Sequence, residues 1–89
     1  MNLDALIAHR THCFLHVLKR ARARHIDLSP AAIESLQDAI ERLERAFVRD
    51  GQARYRLTVR HAGQWLVVTY DARLHCLVTV WTHPNRRHL

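Results

Sequence analysis

A chain of 89 residues can close one two-layer core and no more, because a domain of this size buries only about 60 to 65 per cent of its unfolded surface. Hydrophobic residues at 48% against 25% charged, with only two Gly and two Pro, exclude a disordered or low-complexity chain. The net charge of +6 makes an anionic partner the first expectation, and Lys19 is the only lysine behind it. Arginine presents a planar fork of donors that matches phosphate or carboxylate, whereas charge for solubility alone more often mixes in lysine.

The charge is also segregated. Residues 30–50 hold Glu34, Asp38, Glu41, Glu44 and Asp50 against Arg42, Arg45 and Arg49, a net −2 that leaves +8 on the rest of the chain, so one side should be strongly positive. Cys13 and Cys76 form no Cys-x-x-Cys pair and fall in apolar surroundings, which reads as two reduced core thiols. Asp4 and His9 interrupt the opening segment, and no run approaches the ~20 apolar residues of a membrane span. The expectation is a soluble cytoplasmic protein.

In chain order, Asn2 can cap a helix running from about residue 3 to 25, on the spacing of Leu3, Leu6, Ile7, Phe14, Val17, Leu18 and Ala21. Arg10 falls in that apolar stripe and Thr11, a possible second cap, follows it, so a break or kink is expected there. Ser29 and Pro30 open a second helix over about 30–49, in which Ile33, Leu36, Ile40, Leu43 and Phe47 alternate spacings of three and four. Asp38 to Arg42 and Glu41 to Arg45 are favourable pairs on it, and Asp50-Gly51 supplies its stop.

From Arg54 to Thr82 the hydrophobic period drops to two, which predicts strands over about 53–60, 64–71 and 75–82. The first turn is expected over His61 to Gln64 and the second over Asp71 to Leu74, and a short basic tail occupies 83–89. The order α-α-β-β-β is an α+β two-layer domain, two helices packed on one face of a small antiparallel β-meander. With Tyr55, Leu57 and Val59 turned to the helices, the opposite face gathers Arg54, Arg56 and Arg60 beside Trp65, Val67, Leu77, Thr79 and Trp81. A cationic row beside indole rings suits a phosphate chain and its bases. The competing role for those arginines is to guard an edge strand against stray pairing.

The first helix adds a second row. His9, His12 and His16 lie on one flank, but Cys13 stands where a His-Glu-x-x-His site needs its glutamate, and no carboxylate or further Cys converges in sequence. No metal site is expected, and nothing calls for a cofactor. His16, Arg20 and Arg24 continue the flank at spacings of four, and an anion between them would relieve their mutual repulsion. The rival is a salt-bridged face, with Asp27 or the acids of the second helix as partners.

The run His16-Val-Leu-Lys-Arg20-Ala-Arg-Ala-Arg24-His-Ile26, followed by Asp27-Leu28-Ser29 and a helix, resembles the His-x-x-x-Arg-x-x-x-Arg-Gly-Ile-Ser opening of a bacterial and phage domain family grouped with BrnT-like and RelE-like ribonuclease toxins. The sheet half, from Arg54-Tyr55-Arg56 through Trp65-Leu66-Val67-Val68 to Leu77-Val78-Thr79-Val80-Trp81, is similar to the closing meander of that domain. The likeness spans about Thr11 to His83, with His25 standing where the family prefers Gly.

What the resemblance implies is metal-independent RNA cleavage, in which a 2′-hydroxyl attacks the adjacent phosphate. Such a reaction needs a proton acceptor, a cation beside the pentavalent phosphorus and a proton donor for the 5′ oxygen. His16 and His83 are the candidates for proton transfer, with Arg20, Arg24, Arg54 and Arg56 for charge. Arg60, Trp65 and Trp81 join Arg54 and Arg56 as the binding set. Two readings follow: a toxin-type RNA-binding domain, in its stronger form an endoribonuclease with a small acidic antitoxin as partner, or a non-catalytic module that docks on a host protein or pairs sheet to sheet as a homodimer.

Overall fold

A computed structural model describes residues 3–83. The expected cap at Asn2 and the tail beyond His83, with Pro84, Arg86, Arg87 and His88, lie outside the described residues. Helix α1 spans Leu3–Ala23, α2 Pro30–Arg42 and α3 Glu44–Phe47, followed by β1 Arg54–His61, β2 Gln64–Asp71 and β3 Cys76–Thr82. The strands form an antiparallel meander in the order β1-β2-β3, and the α+β two-layer arrangement is the one the periodicity predicts.

Helix α1 is continuous through Arg10 and Thr11, where a break was expected. A Schellman motif ends it: Ile26 N–H bonds Ala21 O at 2.8 Å and His25 N–H bonds Arg22 O at 3.2 Å. His25 takes the left-handed position, φ +55°, which glycine adopts freely and other residues adopt at a cost of roughly 1 kcal/mol. Ile26 and Ala21 are both buried at the motif, which supplies its customary apolar contact.

The second helix stops earlier than its periodicity suggests. Ser29 caps it as expected, its Oγ accepting from Ala32 N–H at 3.1 Å with Pro30 next in line. At Leu43 the backbone leaves helical geometry, and α3 swings inward so that Phe47 packs edge-on against Tyr55 and Tyr70, ring centroids 5.2 and 6.2 Å away. Glu44 accepts from Tyr70 Oη at 2.5 Å and pairs with His75 Nδ1 at 2.7 Å. Burial pushes the Glu44 carboxyl up, but those two hydrogen bonds and the His75 charge outweigh it and hold it below the ordinary value. Glu41 also turns to His75, at 3.2 Å, and among the described residues neither expected pair with Arg42 or Arg45 forms.

One core serves both layers. Val17 and Ala21 of α1, Ile33 and Ile40 of α2, and Leu66, Val68, Tyr70, Leu77 and Val80 of the sheet are buried together, with Leu57 and Val59 packed against them. The first hairpin turns on Ala62 and Gly63 alone, both at positive φ (+48° and +77°) as a type I′ turn requires. This is tighter than the four-residue turn expected. In the second, Asp71 Oδ1 accepts from the N–H groups of Arg73 and Leu74 at 2.9 and 3.1 Å, an Asx turn, and β3 begins at Cys76.

The expected outer face needs one correction. Thr69 pairs with Thr79 while Tyr70 pairs with Leu77, so Val78 is an extra residue and the strand carries a β-bulge. Leu77 thereby joins Tyr70 and Tyr55 on the inner face, fully buried, instead of standing beside Trp81. Leu77→Ala should cost about 2 to 5 kcal/mol and Val78→Ala about 1 kcal/mol or less, read from urea denaturation; the reverse ranking would contradict the bulge.

Candidate nucleic-acid interface

The hairpin register fixes which carbonyls of β3 point outward. His83 N–H bonds Trp65 O at 3.0 Å, so Val67 with Trp81 and Thr69 with Thr79 are the bonded pairs, and Val80 turns its own carbonyl away from β2. Arg24 meets it there, Nη1 donating to Val80 O at 2.8 Å, while its guanidinium lies 4.8 Å over the Trp81 ring. At the other end of the strand, Cys13 is buried against Cys76. From Cys13 to Arg24 the helix rises about 16 Å, and from Cys76 to Val80 the strand rises about 13 Å. Helix α1 therefore runs alongside β3, in the same direction, and covers its free edge.

That placement turns the His-Arg flank of α1 into a wall beside the outer sheet face. Cross-strand pairing puts Arg56 opposite Thr69, Arg60 opposite Trp65 and Arg54 opposite Asp71 on that face, with Val67 and Trp81 paired next to them. A pocket of about 270 Å³ lies where wall and floor meet, lined by His9, His12, Cys13 and His16 of α1, Val78 of β3 and Arg54 of β1. An arginine from the far strand and three histidines from the helix thus converge on one space.

The cations on this surface have few partners. Arg54 Nε lies 3.3 Å from Asp71 Oδ2, and Arg20, Arg24, Arg56 and Arg60 form no ion pair with a carboxylate among the described residues. Arg20 Nε approaches His16 Nε2 at 3.4 Å, Arg60 lies 5.7 Å over the Trp65 ring, and Arg56 is exposed with neither hydrogen bond nor ion pair among the described residues. The rival expectation of a salt-bridged face, through Asp27 or the acids of α2, does not hold. Partial burial, and after it the charges of Arg20, His12, Lys19 and Arg24, press the His16 imidazole below its ordinary value, so it is mostly neutral at pH 7.

Two features escaped the sequence reading. Asp71 counted only as a turn residue, yet its buried carboxylate also neutralises Arg54. Thr79 Oγ1 is buried on the floor beside α1 with no hydrogen-bond partner among the described residues, a condition that costs roughly 1 to 3 kcal/mol. A threonine in an alternating strand carries no signal of this kind.

His16 and His83, by contrast, are not brought together. Val78 shares a pocket with His16, and five strand steps from Val78 to His83 span about 16 Å. His83 sits at the Trp65 end of the surface. Among the described residues, no group of three or more His, Cys, Asp or Glu side chains is arranged to hold a metal ion, and no helix is long and apolar enough to cross a membrane. No family model, curated protein or solved structure matches the chain.

Removing the unpartnered hydroxyl gives a direct check of the floor. Thr79→Val should raise stability by about 1 kcal/mol in a denaturant titration, and a clear loss would mean that the hydroxyl has a partner.

Proposed function

We propose that this domain binds RNA along the surface between α1 and the outer face of the sheet. What carries the reading is the charge balance of that surface: Arg20 and Arg24 from α1 and its C-terminal end and Arg54, Arg56 and Arg60 from β1, against the carboxylate of Asp71 alone among the described residues. Polyanions bind such surfaces by releasing counterions, and the two arginine-capped indoles add stacking area for unpaired bases. RNA as the nucleic acid, and a toxin-type role with a small acidic antitoxin as partner, follow from the resemblance to BrnT-like and RelE-like domains. The other use of this face, a sheet-to-sheet homodimer, is disfavoured because it would oppose the arginines of one copy to those of the other.

The finer proposal is metal-independent cleavage. An acid and a base acting on one phosphate must both stand within hydrogen-bond reach of it, and His16 and His83 are too far apart for that. His12 and His16, which line the same pocket beside Arg54, are the pair that meets the requirement. The endoribonuclease reading therefore centres on His16, with Arg20 and Arg54 nearest for charge, and gives Arg24 a positioning task at the β3 edge.

Binding is tested with a short single-stranded RNA across a salt series. Affinity should fall steeply with salt, and Arg56→Ala should weaken it and lower the log–log slope by about 0.7, the share of one phosphate contact. A slope near zero, or one untouched by the substitution, would remove the proposal.

The pH dependence has a defined sign. A phosphate beside His16 favours the protonated imidazole, so the complex holds more protons than the free protein and affinity should rise as pH falls from about 7.5 to about 6. In His16→Gln this rise should shrink, as measured by fluorescence anisotropy at constant ionic strength.

Cleavage is read from RNA incubated with the protein in excess chelator. Products ending in a 2′,3′-cyclic phosphate should form, vanish in His16→Ala and persist in His83→Ala; intact RNA would remove the finer proposal and leave binding.

A further inference from the structure

The opposite flank of α1 carries a separate feature. Leu3, Ile7, Arg10 and Phe14 recur at spacings of four, three and four, which is one stripe of the helix. Its first two members stay uncovered, Leu3 at 66% and Ile7 at 54% exposure. The stripe borders a cleft of about 450 Å³ in which Ile7, Arg10 and Phe14 of α1 face Glu34 and Asp38 of α2, with Cys76 buried at its base. Arg10 on one wall and the two carboxylates on the other form no ion pair with each other or with any described residue.

We propose that this cleft is the interface of a two-fold homodimer, in which the Leu3–Ile7 ridge of each copy enters the cleft of the other. A two-fold interface must be self-complementary, since the same patch faces itself. This patch meets that condition twice. It holds an apolar ridge next to an apolar-floored cleft, and it holds a cation next to two carboxylates, neither sign neutralised by a described residue of the same copy. Rotated against itself, it sets Arg10 of each copy against Glu34 and Asp38 of the other while burying Leu3 and Ile7. A partner of a single charge sign would leave one wall unmatched. The arrangement also keeps the arginine surface on the other flank of α1 open in both copies, and it does not rest on the RNA reading.

The test is sedimentation equilibrium of the full chain across a dilution series. The wild type should show a monomer–dimer equilibrium. Ile7→Glu should weaken self-association at least about tenfold by placing a carboxylate where an apolar ridge is buried, and Arg10→Glu and the double variant E34K/D38K should do so because like charges then meet across the interface. All altered side chains are exposed, and circular dichroism checks that each variant is folded. The decisive arm mixes Arg10→Glu with E34K/D38K: both contacts of the mixed pair regain opposite signs, so a heterodimer of wild-type strength should form. A monomer at every concentration, a dimer indifferent to these changes, or single variants that stay monomeric when mixed would each overturn the proposal.

Discussion

A three-stranded meander has two edges, and in this chain α1 closes one of them. The contact that does so is Arg24 on the outward carbonyl of Val80 at 2.8 Å, with the same guanidinium lying over Trp81. Val80 is fully buried, so its outward carbonyl is shut off from water, and leaving it unpaired would cost on the order of 1 to 3 kcal/mol. Once α1 is held there, its inner residues Val17 and Ala21 enter the core and its His-Arg flank must border the outer sheet face. The surface proposed to bind RNA is thus a consequence of how the sheet edge is satisfied.

The opposite edge is managed differently. Backbone groups of Arg54, Arg56, Thr58 and Arg60 point away from β2, by the same alternation that exposes Val80 on β3. Among the described residues, only the carbonyl of Arg54 is met, by Gln52 Nε2 at 3.0 Å. The arginines on that strand discourage another strand from docking, and they also form the far side of the cationic surface. Edge protection and anion binding are compatible uses of the same three side chains, and Arg56, which has no partner among the described residues, is where the two are easiest to separate.

How far the sequence could be read varies by element, for physical reasons. The alternation in β1 and β2 was legible because the inner face is uniformly apolar, and the register then followed. The bulge at Val78 was not: Leu77, Val78, Val80 and Trp81 are apolar on both sides of the slip, so period two cannot say which residue is extra. The end of α2 at Leu43 was equally hidden, because the pattern through Phe47 stays helical while the aromatic contacts with Tyr55 and Tyr70 decide the bend. At the site, the two cationic rows are legible as rows, but which strand the α1 flank borders depends on the α1–β3 contact, which no local pattern encodes. His16 and His83, alternative candidates for proton transfer, lie far apart, separated along β3 by a distance that sequence does not encode. His12, which the sequence raises only with the metal question, is the residue that shares the His16 pocket.

RNA binding as proposed places a polyanion between the flank of α1 and the arginine strand. Amide chemical-shift mapping with a short single-stranded RNA reports it residue by residue. Shifts concentrated on His12, His16 and Arg20, on Arg54 through Arg60 and on the indole N–H groups of Trp65 and Trp81 are the predicted result. Shifts confined to α2 and the cleft beside it, or none at saturating RNA, would contradict it.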